Sequence, residues 1–195
     1  MNERQADKRD RIVEAAIDVF CSRGFEGASM AEIAERADVA KGTLYLYFTS
    51  KEQLAQSAFW KCHRADLEAC QQGLDELPGA IAKLERRLEN VTRWALKNPR
   101  LIRMERLYYT SPVFGKSSRY QHQYLHFEAV DRIIRDGLEA GELKQLPSPL
   151  LGEMFFGIGA AALNYLTETP EAIDDDDFWR ACRECVAGCL KKTDI

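Results

Sequence analysis

Apolar residues recur along this chain at intervals of three and four, the spacing of one face of an α-helix, without the sustained alternation a strand needs. The first run, Ile12, Ala15, Ala16, Val19 and Phe20, predicts a helix over about residues 8–23. Gly24, free to adopt φ > 0, stops it. Ser29 and Glu32 have the S-x-x-E spacing of a capping box, which opens a second helix to Ala37 with Ile33, Ala34 and Ala37 inward. Asp38-Val39-Ala40 is then a tight turn, and a short third helix covers residues 41–48. A second capping box, Ser50 with Gln53, opens helix 4, which the pattern carries to Leu77 before Pro78-Gly79 breaks it.

Longer periods follow. Helix 5 carries Ile81, Leu84, Leu88, Val91 and Ala95 and ends at Asn98-Pro99; helix 6 covers residues 100–109. After a loop over residues 110–118, helix 7 spans 119–140, with Gly141 as its terminator. Pro147-Ser148-Pro149 opens helix 8, which runs to about Thr167. The acidic run at residues 174–177 suits the N-terminus of helix 9, which ends near Lys191-Lys192. No internal repeat interrupts this all-α reading.

Two helices joined by a three-residue turn and braced by a preceding helix make a helix-turn-helix unit. Leu44 and Phe48, four apart, pin the third helix inward. Gly42 and Thr43 lie in its first turn, the part that enters a major groove. Glycine there permits close backbone approach, and threonine offers a hydroxyl and a methyl to base edges. Tyr45 and Tyr47, two apart, diverge and reach for phosphates on either side. Lys51 adds a cation at the start of helix 4, where backbone N–H groups already favour anions.

The stretch from residue 11 to residue 54 resembles the head of the tetracycline-repressor (TetR) family in order, spacing and residue type. The resemblance rests on Gly24-Phe25-Glu26-Gly27-Ala28-Ser29, Ile33-Ala34, Val39, Lys41-Gly42-Thr43-Leu44-Tyr45-Leu46-Tyr47-Phe48 and Ser50-Lys51-Glu52. It implies an N-terminal three-helix DNA-binding head (residues 1–55) and a helical effector-binding and dimerisation body (residues 56–195), about nine helices in all. It further implies DNA contacts from Ser29, Met30, Lys41, Gly42, Thr43, Tyr45, Tyr47 and Lys51. Two positions depart from the family pattern: Asp38 stands where glycine is usual, and Ala40 where a capping serine is usual. Asp38 is expected to tolerate the left-handed turn and partly to replace the missing cap.

Charge changes this picture. The chain sums to −4, and residues 1–57 hold eight Lys/Arg against ten Asp/Glu. Phosphate binding must therefore come from local placement of cations, hydroxyls and amides rather than a basic field. The polar N-terminus has no signal-peptide core, and the weakly polar run at residues 154–166 is too short to span a bilayer. A soluble, cytoplasmic protein without a membrane segment is expected, its six cysteines free thiols rather than a disulfide framework.

For the body the resemblance implies an effector pocket within helices 4 to 7 and a homodimer through helices 8 and 9. The small residues Gly157, Gly159, Ala160, Ala161 and Ala162 suit close helix packing, either between subunits or within one. Trp94, Met104, Tyr108, Tyr124 and Phe127 are the candidate effector contacts, for a small apolar or aromatic molecule that releases the protein from a palindromic operator. Asp131 is a further candidate; its alternative is an i,i+4 pair with Arg135. His122 and His126 have metal-ligand spacing but no third ligand beside them, so no metal and no cofactor are expected. Cys182, Cys185 and Cys189 share a face of helix 9, and offer a thiol- or metal-sensing alternative to plain packing. An enzyme or carrier built on the helical body lacks a Gly-rich phosphate loop and a nucleophile–base pair, so a non-enzymatic repressor is the expected function.

Overall fold

A computed structural model describes the backbone of residues 3–112 and 116–192, and the side chains of residues 5–108, 110–112 and 128–192. Among the described residues it is helical throughout: α1 (Glu3–Gly27), α2 (Met30–Arg36), α3 (Lys41–Tyr47), α4 (Lys51–Gln71), α5 (Gly79–Lys97), α6 (Pro99–Thr110), α7 (Lys116–Glu139), α8 (Ser148–Glu168) and α9 (Asp176–Leu190), with a 3-10 turn at Pro170–Asp174. The chain folds as two compact units. One holds Met1–Ala65 with Asn98–Arg119, the other Asp66–Lys97 with Tyr120–Ile195. α4 contributes residues to each.

In the first unit α1 packs on α2 and α6, and α2 on α3. The inward face read from the sequence is the core: Ile12, Ala16, Phe20, Ile33, Leu44, Phe48 and Leu54 are buried together. The same cluster takes in Phe59, Met104 and Tyr108, with the Phe59 and Tyr108 rings stacked 4.2 Å apart. Arg100 binds Glu14 at 2.6 Å and also pairs with Asp18, clamping α6 onto α1. Gly24 (φ 72, ψ 174) breaks α1 where the sequence places a stop, after which the chain resumes a last turn to Gly27.

In the second unit α5, α8 and α9 pack on one another. Leu84, Leu88, Val130, Ile134, Leu151, Phe155, Val186 and Leu190 form its core. Gly137 on α7 is required there. A Cβ at that position would fall within 2.9 Å of Leu143 and closer still to Ala80.

α1 and α7 begin earlier than the pattern places them, at Glu3 and Lys116, and α4 ends earlier. α4 stops at Gln71, not Leu77, because Gly73 turns with φ 71 and Asn90 donates to the carbonyl of Gln72 at 2.8 Å. That bond satisfies a helix-end acceptor with a side chain far away in sequence. α9 begins at Asp176, capped by Asp175, whose carboxylate accepts from the Asp177 N–H at 2.8 Å.

Candidate nucleic-acid interface and body cavity

Side-chain caps fix the starts of α2 and α4, the helices on either side of α3. Ser29 Oγ accepts from Glu32 N–H at 3.1 Å, half of the capping box; the Glu32 carboxylate faces Arg23 at 3.4 Å. Ser50 Oγ accepts from Gln53 N–H at 3.2 Å, while the Gln53 side chain accepts from Thr49 N–H at 2.7 Å. Asp38 sits at φ 52, the left-handed turn that admits Asp more readily than most residues. It does not cap α3: Ala40 is the N-cap and no side chain bonds the first-turn amides, so those N–H groups stay available to an anion.

α3 is anchored by Leu44 and Phe48, both buried, and Tyr47 packs partly against the same core. The other face is open. Lys41 and Gly42 are exposed and Thr43 half-buried. Tyr45 is 43% exposed and Leu46 85% exposed. A Cβ on Gly42 would meet nothing within 4 Å, so no packing within the chain requires glycine there. Leu46 was missed from the sequence, although a signal existed. With Leu44 and Phe48 inward, a residue between them on the helix points outward, and an apolar one there is out of place unless something covers it.

Two of the expected DNA contacts, Met30 and Lys51, have partners within the chain. Met30 is 8% exposed and belongs to the core, where it opens the inward face of α2. The Lys51 ammonium does not stand free for a phosphate. Its Nζ donates to the carbonyls of Phe25 at 2.8 Å, Ala28 at 3.1 Å and Glu26 at 3.5 Å, and lies 4.5 Å from the Phe25 ring centre. A cation on the orphan carbonyls at the end of α1 acts as a cap for that helix.

The predicted effector residues divide between the units. Met104 and Tyr108 are core residues of the first unit, buried at 2% and 1%. Trp94 is half-buried on α5 and Asp131 half-buried on α7, both in the second. Asp131 takes the pairing alternative, with Arg135 at 2.6 Å, and also accepts from the Ser148 hydroxyl. The side chains of Tyr124 and Phe127, and of His122 and His126, lie outside the described residues.

The second unit contains a cavity of about 160 Å3 lined by residues of α5 and α8 and by Cys70 of α4. Leu88, Val91, Phe155, Phe156 and Leu163 make most of its wall, with Gly159 and Ala160 on α8. Thr92 also lines it, but its hydroxyl donates to the Leu88 carbonyl at 2.7 Å. The Cys70 thiol likewise donates to Asp66, at 3.3 Å. Among the described residues, one permanent charge lines the site: Arg87, 2% exposed.

The small residues of α8 face two ways. A Cβ on Gly159 would come 3.4 Å from Leu88, and Ala162 is buried, so these two serve packing within the chain. Gly157, Ala160 and Ala161 are exposed, and a Cβ on Gly157 would meet nothing. On α9, Cys182 and Cys189 pack against the core while Cys185 is exposed. Burial pushes the Cys182 thiol up, aided by Cys185, which makes the reactive thiolate scarcer. Among the described residues no three His, Cys, Asp or Glu side chains are grouped to hold a metal.

A short helix anchored by two buried residues, with a solvent-facing row on a helix-turn-helix frame, defines a DNA-binding regulator. Comparison with known proteins agrees. Residues 12–58 match the family model for bacterial regulatory proteins, tetR family. A TetR-family transcription regulator from Shewanella sp. PV-4 superposes with a TM-score of 0.82 at 30% identity, covering 95% of this chain and 99% of that one. The fatty acid metabolism regulator protein of Bacillus subtilis is 27% identical over 161 residues, 75% of this chain and 77% of its own. The transcriptional regulator FadR from Bacillus subtilis, solved with stearoyl-CoA, has a TM-score of 0.74 at 21% identity, covering 92% of this chain and 96% of that one. The chain belongs to the TetR family of transcriptional regulators.

Proposed function

We propose that this protein is a cytoplasmic, homodimeric repressor that occupies a palindromic operator and leaves it when an apolar small molecule enters the body. The observation that carries the DNA half is the open row of α3. Lys41, Gly42, Tyr45 and Leu46 contribute little to the fold, while the helix behind them is pinned by Leu44 and Phe48. Repression needs only occupancy of a promoter site, so no further surface is invoked.

The dimer is supported by the outward face of α8. That helix is apolar over 21 residues, yet only 28% of its most apolar window is buried within the chain. Leu150 and Tyr165 are exposed at 47% and 52% beside Gly157, Ala160 and Ala161. A second copy packed through α8 and α9 would cover this surface, and the small residues would let backbones approach. The effector half is supported by the apolar cavity and by likeness to a regulator of fatty acid metabolism. Cys70, which lines that cavity, and Lys51 belong to the same helix, α4.

Selection of bound sequences from a random duplex library by the full chain tests the reading. A palindrome with half-sites about one helical turn apart is expected. Leu46→Ala and Thr43→Val should each shift the preferred bases, Leu46 by losing a contact to a thymine methyl, while thermal stability stays unchanged. Recovery of no common sequence by the wild-type chain overturns it.

A further inference from the structure

A groove on the first unit gathers positive charge from two helices that are far apart in the sequence. Its wall is built by Asp18, Cys21 and Ser22 of α1, by Arg36, the last residue of α2, and by Arg100 and Arg103 near the start of α6. Asp18 sets two of the guanidiniums in place. It accepts from Arg36 Nε at 3.1 Å and pairs with Arg100, whose other edge binds Glu14 at 2.6 Å. The Arg36 bond uses Nε alone, which leaves both of its terminal amino groups open. Arg103 forms no hydrogen bond or ion pair among the described residues. Its charge reaches the groove wall: burial pushes the Cys21 thiol up, while Arg103, and then Arg100, act against that rise at the same sulfur. Cys21 and Ser22 direct their own hydrogens to the carbonyls of Arg100 at 3.3 Å and Val19 at 3.1 Å, so the arginines are left as the side-chain donors of the groove.

An arginine fork takes two oxygens in parallel bonds, so one fork uses up a carboxylate. A phosphoryl group has three terminal oxygens and, as a monoester, a charge of about −1.5 to −2 at pH 7. It can bridge two forks and answer both charges. The volume adds an organic body. At about 420 Å3 the groove falls in the range of small-molecule sites, about 300–1,000 Å3, and far exceeds a bare phosphate. The open row of α3, Lys41, Gly42, Tyr45 and Leu46, takes no part in this wall, so the groove is separate from the surface proposed to face DNA. It is also separate from the apolar cavity, which belongs to the second unit.

We propose that this groove binds the phosphoryl group of a small phosphate monoester between Arg36 and Arg103, with Asp18 and Arg100 holding Arg36 in position. An occupant there lies against the last residue of α2, where the chain turns into α3. Both arginines are exposed, so binding is expected at millimolar concentration and weakens as salt is added.

The test follows amide and arginine Nε signals of the full-length protein by NMR while phenyl phosphate, inorganic phosphate, benzoate and phenol are added in turn. Phenyl phosphate should move the signals of Ser22, Arg36 and Arg103, and bind about fivefold more tightly than benzoate or inorganic phosphate. Phenol should leave those signals unmoved. Arg36→Gln can loosen α2, so Arg103→Gln is the deciding variant. It breaks no bond within the chain, should keep the Tm, and should weaken phenyl phosphate binding about fivefold. Equal binding of phenyl phosphate and benzoate overturns the proposal. So do inorganic phosphate binding as tightly as the ester, shifts confined to the second unit, and an affinity unchanged in Arg103→Gln. A fall of about one unit in the salt slope of operator binding for Arg103→Gln gives the groove to the DNA backbone, and overturns the proposal too.

Discussion

Replacing Lys51 with methionine separates two roles for the same side chain. Methionine keeps the apolar stem over Phe25 but removes the ammonium that bonds the carbonyls of Phe25 and Ala28. A hydrogen bond to a charged group contributes about 1.5–3 kcal/mol when enclosed. Lys51 is half-exposed and water can reach the freed carbonyls, so about 1 kcal/mol for each of the two shorter bonds is the fitting figure. The ring contact adds about 0.5 kcal/mol. The expected loss is then roughly 2–2.5 kcal/mol, or about 4–10 °C in Tm for a chain of this size. Thermal melts followed by circular dichroism read that shift. Operator titrations from 50 to 300 mM salt, on the order used for such slopes, read the other role: a residue that neutralises one phosphate lowers the slope by about one unit. The structure predicts a lower Tm and an unchanged slope for Lys51→Met, and the reverse for Lys41→Met at exposed Lys41. An unchanged Tm together with a reduced slope for Lys51→Met refutes the capping role.

Gly157→Leu projects into open space in the single chain, so it should leave secondary structure intact but overpack a subunit contact. Light scattering should then report monomers where the wild type gives dimers; an unaltered dimer places the interface elsewhere. Acid stability tests the clamp between α1 and α6. Burial raises the Glu14 and Asp18 pKa values, but their bonds outweigh it: Lys61 and Arg100 on Glu14, Arg100 and Arg36 on Asp18 hold both below the ordinary range. With folded values below unfolded ones, the unfolded chain binds more protons, so this stability is present above the ordinary carboxylate pKa and lost as pH falls through the folded values. Glu14→Gln with Asp18→Asn should flatten the fall of Tm below about pH 5; a fall as steep as that of the wild type assigns acid lability to other groups.

Local chemistry made the head legible in the sequence. Its caps and turn join residues three or four apart, and its core face repeats with the helical period, so Ser29, Asp38, Leu44 and Phe48 reveal their places without a partner. The same logic found Gly24 and Gly141, because a positive φ is a property of one residue. What the period cannot tell is which neighbour a side chain meets. Met30 and Met104 read as surface or pocket candidates until folding places both in the first unit's core. Lys51 reads as a free cation until the end of α1, some 25 positions earlier, turns its carbonyls toward it. α4 reads six residues too long because Asn90, on another helix, supplies the bond that ends it. The cavity is the clearest case. Arg87 looks like any charged residue of an amphipathic helix, and only the packing of α8 over α5 encloses it among apolar side chains, since burial is a property of the assembled unit and not of the residue.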